Sequence, residues 1–125
     1  MTSDYARAFS ALKSVFAAYQ DRLAVNADNE KEYTLVTQKP SPFPQHKGHP
    51  MFFGSVRLGR AYVSFHLMPI YMQPPLTREM SPELKKRMQG KTCFNFKSEP
   101  APALISELAR LTEAGFCSWK AKGWI

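Results

Sequence analysis

The spacing of large apolar residues at the start of the chain is the strongest constraint on its fold. They recur at intervals of four, three, four, three and four residues, at Tyr5, Phe9, Leu12, Phe16, Tyr19 and Leu23. Because an α-helix turns once every 3.6 residues, this spacing keeps all of them on one stripe of a helix. We expect Ser3 to cap this helix and Asp4 to stabilise its positive end. The aromatic content of the stripe favours a helix that covers one face of a sheet.

Three later segments have the composition of β-strands. Residues 32–38 (EYTLVTQ) and 51–68 are rich in β-branched and aromatic side chains. In residues 92–96 (TCFNF), phenylalanines alternate with smaller side chains, which is also typical of a strand. Within 51–68, the Leu58-Gly59-Arg60 step predicts a tight turn between two strands, with Gly59 supplying a positive φ. We therefore expect antiparallel pairing.

Alternation along a strand assigns its side chains to two faces. The set expected to meet the helices is Ala61, Val63, Phe65 and Leu67. The set expected on the opposite face is Tyr62, Ser64, His66 and Met68. In the last strand, Thr92, Phe94 and Phe96 oppose Cys93 and Asn95.

Prolines and glycines divide the rest of the chain. The residue before each proline disfavours helix, so residues 39–50 (KPSPFPQHKGHP) are interpreted as a loop or an edge segment, either functional or a mere connection. Pro69, Pro74 and Pro75 are expected to end strand pairing.

Two further helices are predicted. Ser81-Pro82-Glu83 has the capping residue, first-turn proline and acid of a helix start, and Gly90 is expected to close this short middle helix. A C-terminal amphipathic helix is defined by Leu104, Ile105, Leu108 and Leu111. We expect Gly115 to end it, Phe116 to pack back on Leu111, and Trp119 to pack nearby.

The sequence thus predicts one α+β domain over residues 1–125. Its antiparallel sheet of four to five strands would be packed by a long N-terminal helix, a short middle helix and a C-terminal helix. A chain of this length buries enough surface for a single core.

The order of these elements resembles the YdhG-like family of small bacterial domains of unknown function. The similarity covers roughly residues 50–120, and its most specific parts are SFHLMPIY at 64–71 and SPELKKRMQGKTCFNF at 81–96. The resemblance implies an α+β fold with an antiparallel sheet packed by helices. A member of the wider family is regarded as a frataxin-like iron chaperone, which would imply iron handling. Iron on such a surface needs clustered carboxylates, whereas the first helix offers only Asp4 and Asp21.

Charge and composition limit the partners. The net charge of +7 favours anionic partners without naming one, and Lys85-Lys86-Arg87 is too short a basic run for a nucleic-acid arm. We expect a cytoplasmic protein, because the start of the sequence lacks a secretory pattern and no apolar run reaches the ~18 residues that span a bilayer. Cys93 and Cys117 are expected to be reduced.

The candidate ligand-binding residues are polar or aromatic side chains of the sheet face and of the following loop. They are Tyr62, Ser64, His66, Tyr71, Cys93 and Asn95. If the last strand pairs with the second strand of the hairpin, these side chains would line a pocket that the 68–75 loop folds over. A solvated or dimer-forming sheet face is the alternative.

Other chemistry is less well supported by the sequence. Cys93 beside His66 would be a nucleophilic pair, but no orienting acid or oxyanion loop accompanies it, so we assign no catalytic residue. Gly48 and Pro50 disfavour the helix that would aim His46 and His49 at one metal, so no metal site is predicted. Nucleotide and hydrolase motifs are absent from the sequence.

We therefore expect a noncatalytic cytoplasmic binding domain for a small ligand, either anionic or neutral, or for a protein partner. It would need no cofactor, have no membrane association, and act as a monomer or homodimer. A frataxin-like iron chaperone, a basic nucleic-acid-binding domain and an enzyme using His66 and Cys93 are the alternatives.

Overall fold

The described part of the chain begins and ends with a long helix, and its strands and two short helices lie between them. The computed structural model describes residues 4–125, so the predicted cap at Ser3 lies outside the described residues. The α-helices are α1 (Asp4–Ala17), α2 (Pro69–Met72), α3 (Pro82–Lys85) and α4 (Pro102–Ala121). The strands are β1 (Ala24–Asp28), β2 (Glu32–Pro40), β3 (Pro50–Leu58), β4 (Val63–Leu67), β5 (Met88–Gln89) and β6 (Cys93–Phe96). Short 3₁₀ turns occupy Pro44–His46 and Pro74–Thr77.

The strands form one antiparallel sheet in the order β1-β2-β3-β4-β6-β5. The predicted α+β class, with an antiparallel sheet and long N-terminal and C-terminal helices, is confirmed. The sheet has six strands because β1 and the two-residue β5 add an edge on either side. The sequence indicated β1 poorly, since its residues include Asn26 and Asp28, which are more typical of turns.

The core lies between the inner face of the sheet and the helices α1 and α4. Phe16 of α1 stacks on Phe65 of β4, with ring centroids 4.5 Å apart and an interplanar angle of 5°. Phe53 of β3 packs edge-on against both Phe16 and Trp119 of α4. The predicted stripe faces the core: Tyr5 is half-buried and its other members are buried. However, α1 ends at Ala17, so Tyr19 and Leu23 lie after the helix.

The predicted face assignment of β4 is also confirmed for the strand itself. Val63, Phe65 and Leu67 are fully buried, whereas Ser64 and His66 are half-buried on the opposite face. In β6, Phe94 and Phe96 are buried and Cys93 and Asn95 are half-buried.

The turn that precedes β4 differs from the prediction. Gly59 does not adopt a positive φ, because the turn extends over four residues and closes when the Gly59 N–H donates to the Tyr62 carbonyl at 3.0 Å. The strand begins only at Val63. Ala61 and Tyr62 are consequently exposed turn residues, and their assignment to strand faces was wrong.

Gly115 does not end the C-terminal helix, which continues to Ala121. A β-carbon on Gly115 would lie 2.7 Å from the Pro69 β-carbon, so this glycine permits the close approach of α2 to α4. Phe116 therefore stays helical and packs on Tyr19 at a centroid distance of 5.1 Å. The glycine after the helix end is Gly123, at φ 80°. The expected packing of Trp119 is confirmed.

The middle helix begins as predicted but ends early. The Leu84 N–H donates to Ser81 Oγ at 3.1 Å, which confirms the cap, and both Ser81 N–H and Oγ donate to the Glu107 carboxylate at 2.6 Å. The helix ends at Lys85. Gly90, at φ 76°, instead lies in the turn between β5 and β6, so its predicted role as helix terminator was wrong.

Candidate functional site

The proline-rich segment between β2 and β3 forms an ordered loop. Ser41 N–H donates to the His49 carbonyl at 2.9 Å, which joins the two ends of the loop. At the base, the Thr37 hydroxyl donates to the Lys39 carbonyl at 2.8 Å and accepts from the Met51 N–H at 2.9 Å. Thr37 is fully buried. These bonds hold residues 41–49 in one shape against the end of the sheet.

The helix α2 forms a second wall beside this loop. Pro69, which is buried, lies against Gly115 of α4, and Ile70 is also buried. Because two residues of this single helical turn are fixed in the core, Tyr71 and Met72 are held on its outer side. Tyr71 is 55% exposed.

A cavity of about 550 Å³ lies between the loop, the start of β3 and α2. Its lining consists of Phe43, Gln45, His46, His49, Pro50, Met51, Phe52, Met68, Tyr71 and Met72. The Phe43 ring packs edge-on against Trp124, at a centroid distance of 5.4 Å. The cavity therefore has aromatic and thioether walls and a polar rim on the loop.

The polar rim is formed by Gln45, His46 and His49, which are all exposed. His46 Nδ1 lies 2.6 Å from Ser41 Oγ, and the same oxygen accepts from the Phe43 N–H at 3.1 Å. Within residues 4–125, the side chains of Gln45 and His49 have no hydrogen-bond partner, so both are free to bind a ligand. The sequence had drawn attention to His46 and His49 only as a metal pair. No group of three or more metal-ligating side chains occurs in the described part of the chain.

The structure brings four of the predicted site residues together on the outer face of the sheet. Ser64 lies opposite Asn95, and His66 lies opposite Cys93 in the register of β4 and β6. Tyr62 is separate, in the turn before β4. Tyr71 is the predicted site residue that lines the cavity. The sheet-face cluster and the cavity are thus two distinct places.

The hydrogen bonds of the sheet-face cluster do not join the thiol to the imidazole. Cys93 Sγ donates to Asn95 Oδ1 at 3.3 Å, and Asn95 Nδ2 donates to Gln89 Oε1 at 2.6 Å. His66 Nδ1 instead lies 3.3 Å from the Thr92 hydroxyl.

The surroundings of the thiol and of the imidazole shift their pKa values in opposite directions. Burial raises the pKa of the Cys93 thiol, and burial, assisted by the Arg57 guanidinium, lowers the pKa of His66. Both shifts favour the neutral forms, whereas a catalytic cysteine needs a thiolate stabilised by a nearby positive charge. The arrangement suits packing and hydrogen bonding better than nucleophilic chemistry.

The aromatic side chains of the strands are turned mainly towards the core. Those that are buried are Tyr33, Phe53, Phe65, Phe94 and Phe96. Phe52, which is half-buried, lines the cavity. Proteins that bind single-stranded nucleic acids on a sheet stack the bases on exposed aromatic rings. In the described residues, the outer face of this sheet offers no row of such rings.

No family model, curated protein or solved structure matches the chain. The similarity to the YdhG-like family accordingly stays an expectation from the motifs quoted above. None of the helices in residues 4–125 is long and apolar enough to cross a membrane.

Proposed function

We propose that this protein is a noncatalytic binding domain for a small organic ligand, which it holds in the cavity between the 41–49 loop and α2. The observation that carries this proposal is the cavity of about 550 Å³ with its aromatic and methionine walls. Small-molecule sites typically have volumes of about 300–1,000 Å³, mostly apolar walls and a few polar groups.

Preorganisation supports binding at this place. The loop is closed by the bond between Ser41 and His49, and α2 is fixed by the contact between Pro69 and Gly115. Walls that are already ordered lose little conformational entropy when a ligand enters, so more of the contact energy appears as affinity.

The other functions have less support. An enzyme using His66 and Cys93 would need an activated thiol, but burial raises the pKa of that thiol. A nucleic-acid-binding sheet would need exposed aromatic rings, and most of those on the strands are buried. Iron delivery gains no support from the described residues, which contain no cluster of metal ligands. Membership of the YdhG-like family and a cytoplasmic location fit a binding domain and remain part of this proposal.

A thermal-shift screen against a metabolite library tests the proposal. We expect at least one small molecule to raise the melting temperature in a saturable way at about 0.15 M salt, where nonspecific charge attraction is screened. Met72→Trp should weaken the shift, because the larger ring projects into the cavity and reduces the space for a ligand. Met88→Trp is the matched control, since Met88 is also half-buried but does not line the cavity. Stabilisation by every polyanion that vanishes in salt would contradict the proposal.

A further inference from the structure

We infer that the ligand of this cavity is a planar aromatic anion, such as an aryl carboxylate. This inference rests on the proposed function and adds the chemical class of the ligand. It follows from three features of the lining: the kind of apolar wall, the hydrogen-bonding groups on the rim, and the balance of charge.

The apolar wall has the composition that receives an aromatic ring. Phe43, Phe52 and Tyr71 provide ring faces and edges, and three methionines provide thioether sulfur atoms, at Met51, Met68 and Met72. Aromatic pairs gain energy beyond their buried area, and a thioether sulfur near a ring edge adds a further favourable contact. A flexible alkyl chain would use neither interaction.

His46 supplies a directed donor at the rim. The Ser41 hydroxyl oxygen accepts a hydrogen bond from the Phe43 N–H, and this oxygen lies 2.6 Å from His46 Nδ1. The hydroxyl can therefore donate its proton to Nδ1. When the hydroxyl donates to Nδ1, the ring proton is carried by Nε2, which becomes a hydrogen-bond donor. His46 is held edge-on to Phe43 at a centroid distance of 5.6 Å, so this donor sits beside the aromatic wall.

The side chains of the lining favour an anion over a cation. Among residues 4–125, the lining contains no aspartate or glutamate, whereas His46 and His49 both lie on the rim. A hydrogen bond to an ionised acceptor is roughly twice as strong as one between neutral groups. A carboxylate on the ligand would therefore gain more from this rim than a hydroxyl would.

Isothermal titration calorimetry with four probes tests the inference. The probes are 2-naphthoate, 2-naphthalenemethanol, 2-naphthylmethylammonium and hexanoate, each at about 0.15 M salt. We expect 2-naphthoate to bind about tenfold more tightly than the alcohol, because its carboxylate forms charge-assisted bonds at the rim. The ammonium compound and the non-aromatic hexanoate should bind more weakly still.

Histidine variants test which side chains cause the preference for a carboxylate over an alcohol. In His46→Ala/His49→Ala, the affinity for 2-naphthoate should fall more than the affinity for the alcohol, so that the tenfold preference for the carboxylate is lost. His66→Ala removes the third histidine, which does not line the cavity, and should keep the full preference.

Two results would overturn the inference in distinguishable ways. Equal binding of the alcohol and 2-naphthoate would exclude an anionic ligand class while leaving a small-molecule site in the cavity. Absence of binding by all four probes would reject the aromatic anion, and the proposed function would then depend on the library screen alone.

Discussion

Gly115 and Pro69 are in contact so close that a β-carbon on the glycine would lie 2.7 Å from that of the proline. The proline ring cannot rotate away, so Gly115→Ala must push α2 off α4. Overpacking costs about 1–3 kcal/mol, and the higher helix propensity of alanine returns about 1 kcal/mol. We expect a net loss of about 1 kcal/mol in the free energy of unfolding, measured by urea denaturation.

The substitution Ala109→Gly calibrates the propensity contribution, because Ala109 is exposed in the same helix. It should cost about 1 kcal/mol without disturbing α2. A Gly115→Ala protein as stable as the wild type, or more stable, would mean that α2 is not held by this contact.

Neighbouring residues of β4 should differ sharply in their effect on stability. Phe65→Ala should cost roughly 3–5 kcal/mol, because Phe65 is fully buried and stacked on Phe16. His66→Ala should cost at most about 1 kcal/mol, since His66 is half-buried on the outer face. Melting temperatures of both variants decide the matter: equal and large losses would show that His66 is a structural core residue.

His66 should also contribute to the pH dependence of stability. Burial, and secondly Arg57, lower its pKa in the folded protein from the usual 6.5. The stabilisation linked to neutral His66 is therefore present above pH 6.5 and is lost as the pH falls through the lower folded value. Unfolding free energies measured between about pH 7 and 5 should vary less in His66→Gln than in the wild type. Identical slopes in both proteins would contradict the shift.

Cys93 should be a slow thiol. In a Cys117→Ser background, we expect Cys93 to react with a disulfide reagent at pH 7 more slowly than free cysteine does, because burial raises its pKa and limits access. Addition of denaturant should restore the ordinary rate. A reaction faster than that of free cysteine would revive the enzyme alternative that uses His66 and Cys93.

Periodicity along the chain predicted the elements whose burial follows a regular repeat. The stripe that begins at Tyr5 placed the buried face of α1, although the helix ends at Ala17, before the stripe does. The alternation of Phe65 and His66 placed both faces of β4. Glycines were harder to interpret. From the sequence alone, Gly115 cannot be distinguished from a glycine that ends a helix. Its packing role is evident only from its contact with Pro69.

The cavity escaped prediction because its walls are distant in sequence. Phe43 and His46 come from one loop, and Met68 and Met72 from a segment more than 20 residues later. No local sequence pattern predicts that these two segments come together. The available signals were the proline-rich loop, whose role the sequence left open, and Tyr71, which was predicted as a ligand-binding residue and does line the cavity.

Binding of a small molecule between the 41–49 loop and α2 should change the NMR signals of the methionine methyl groups in the cavity. The protein would be labelled with ¹³C at the methionine methyl groups and titrated with the compound that stabilises it most in the thermal-shift screen. We predict saturable shifts of the Met51, Met68 and Met72 signals, which come from the cavity lining, with no shift at Met80, which is buried elsewhere in the core. Shifts that spare these three methyl groups, or the lack of any saturable binder, would contradict ligand binding in this cavity.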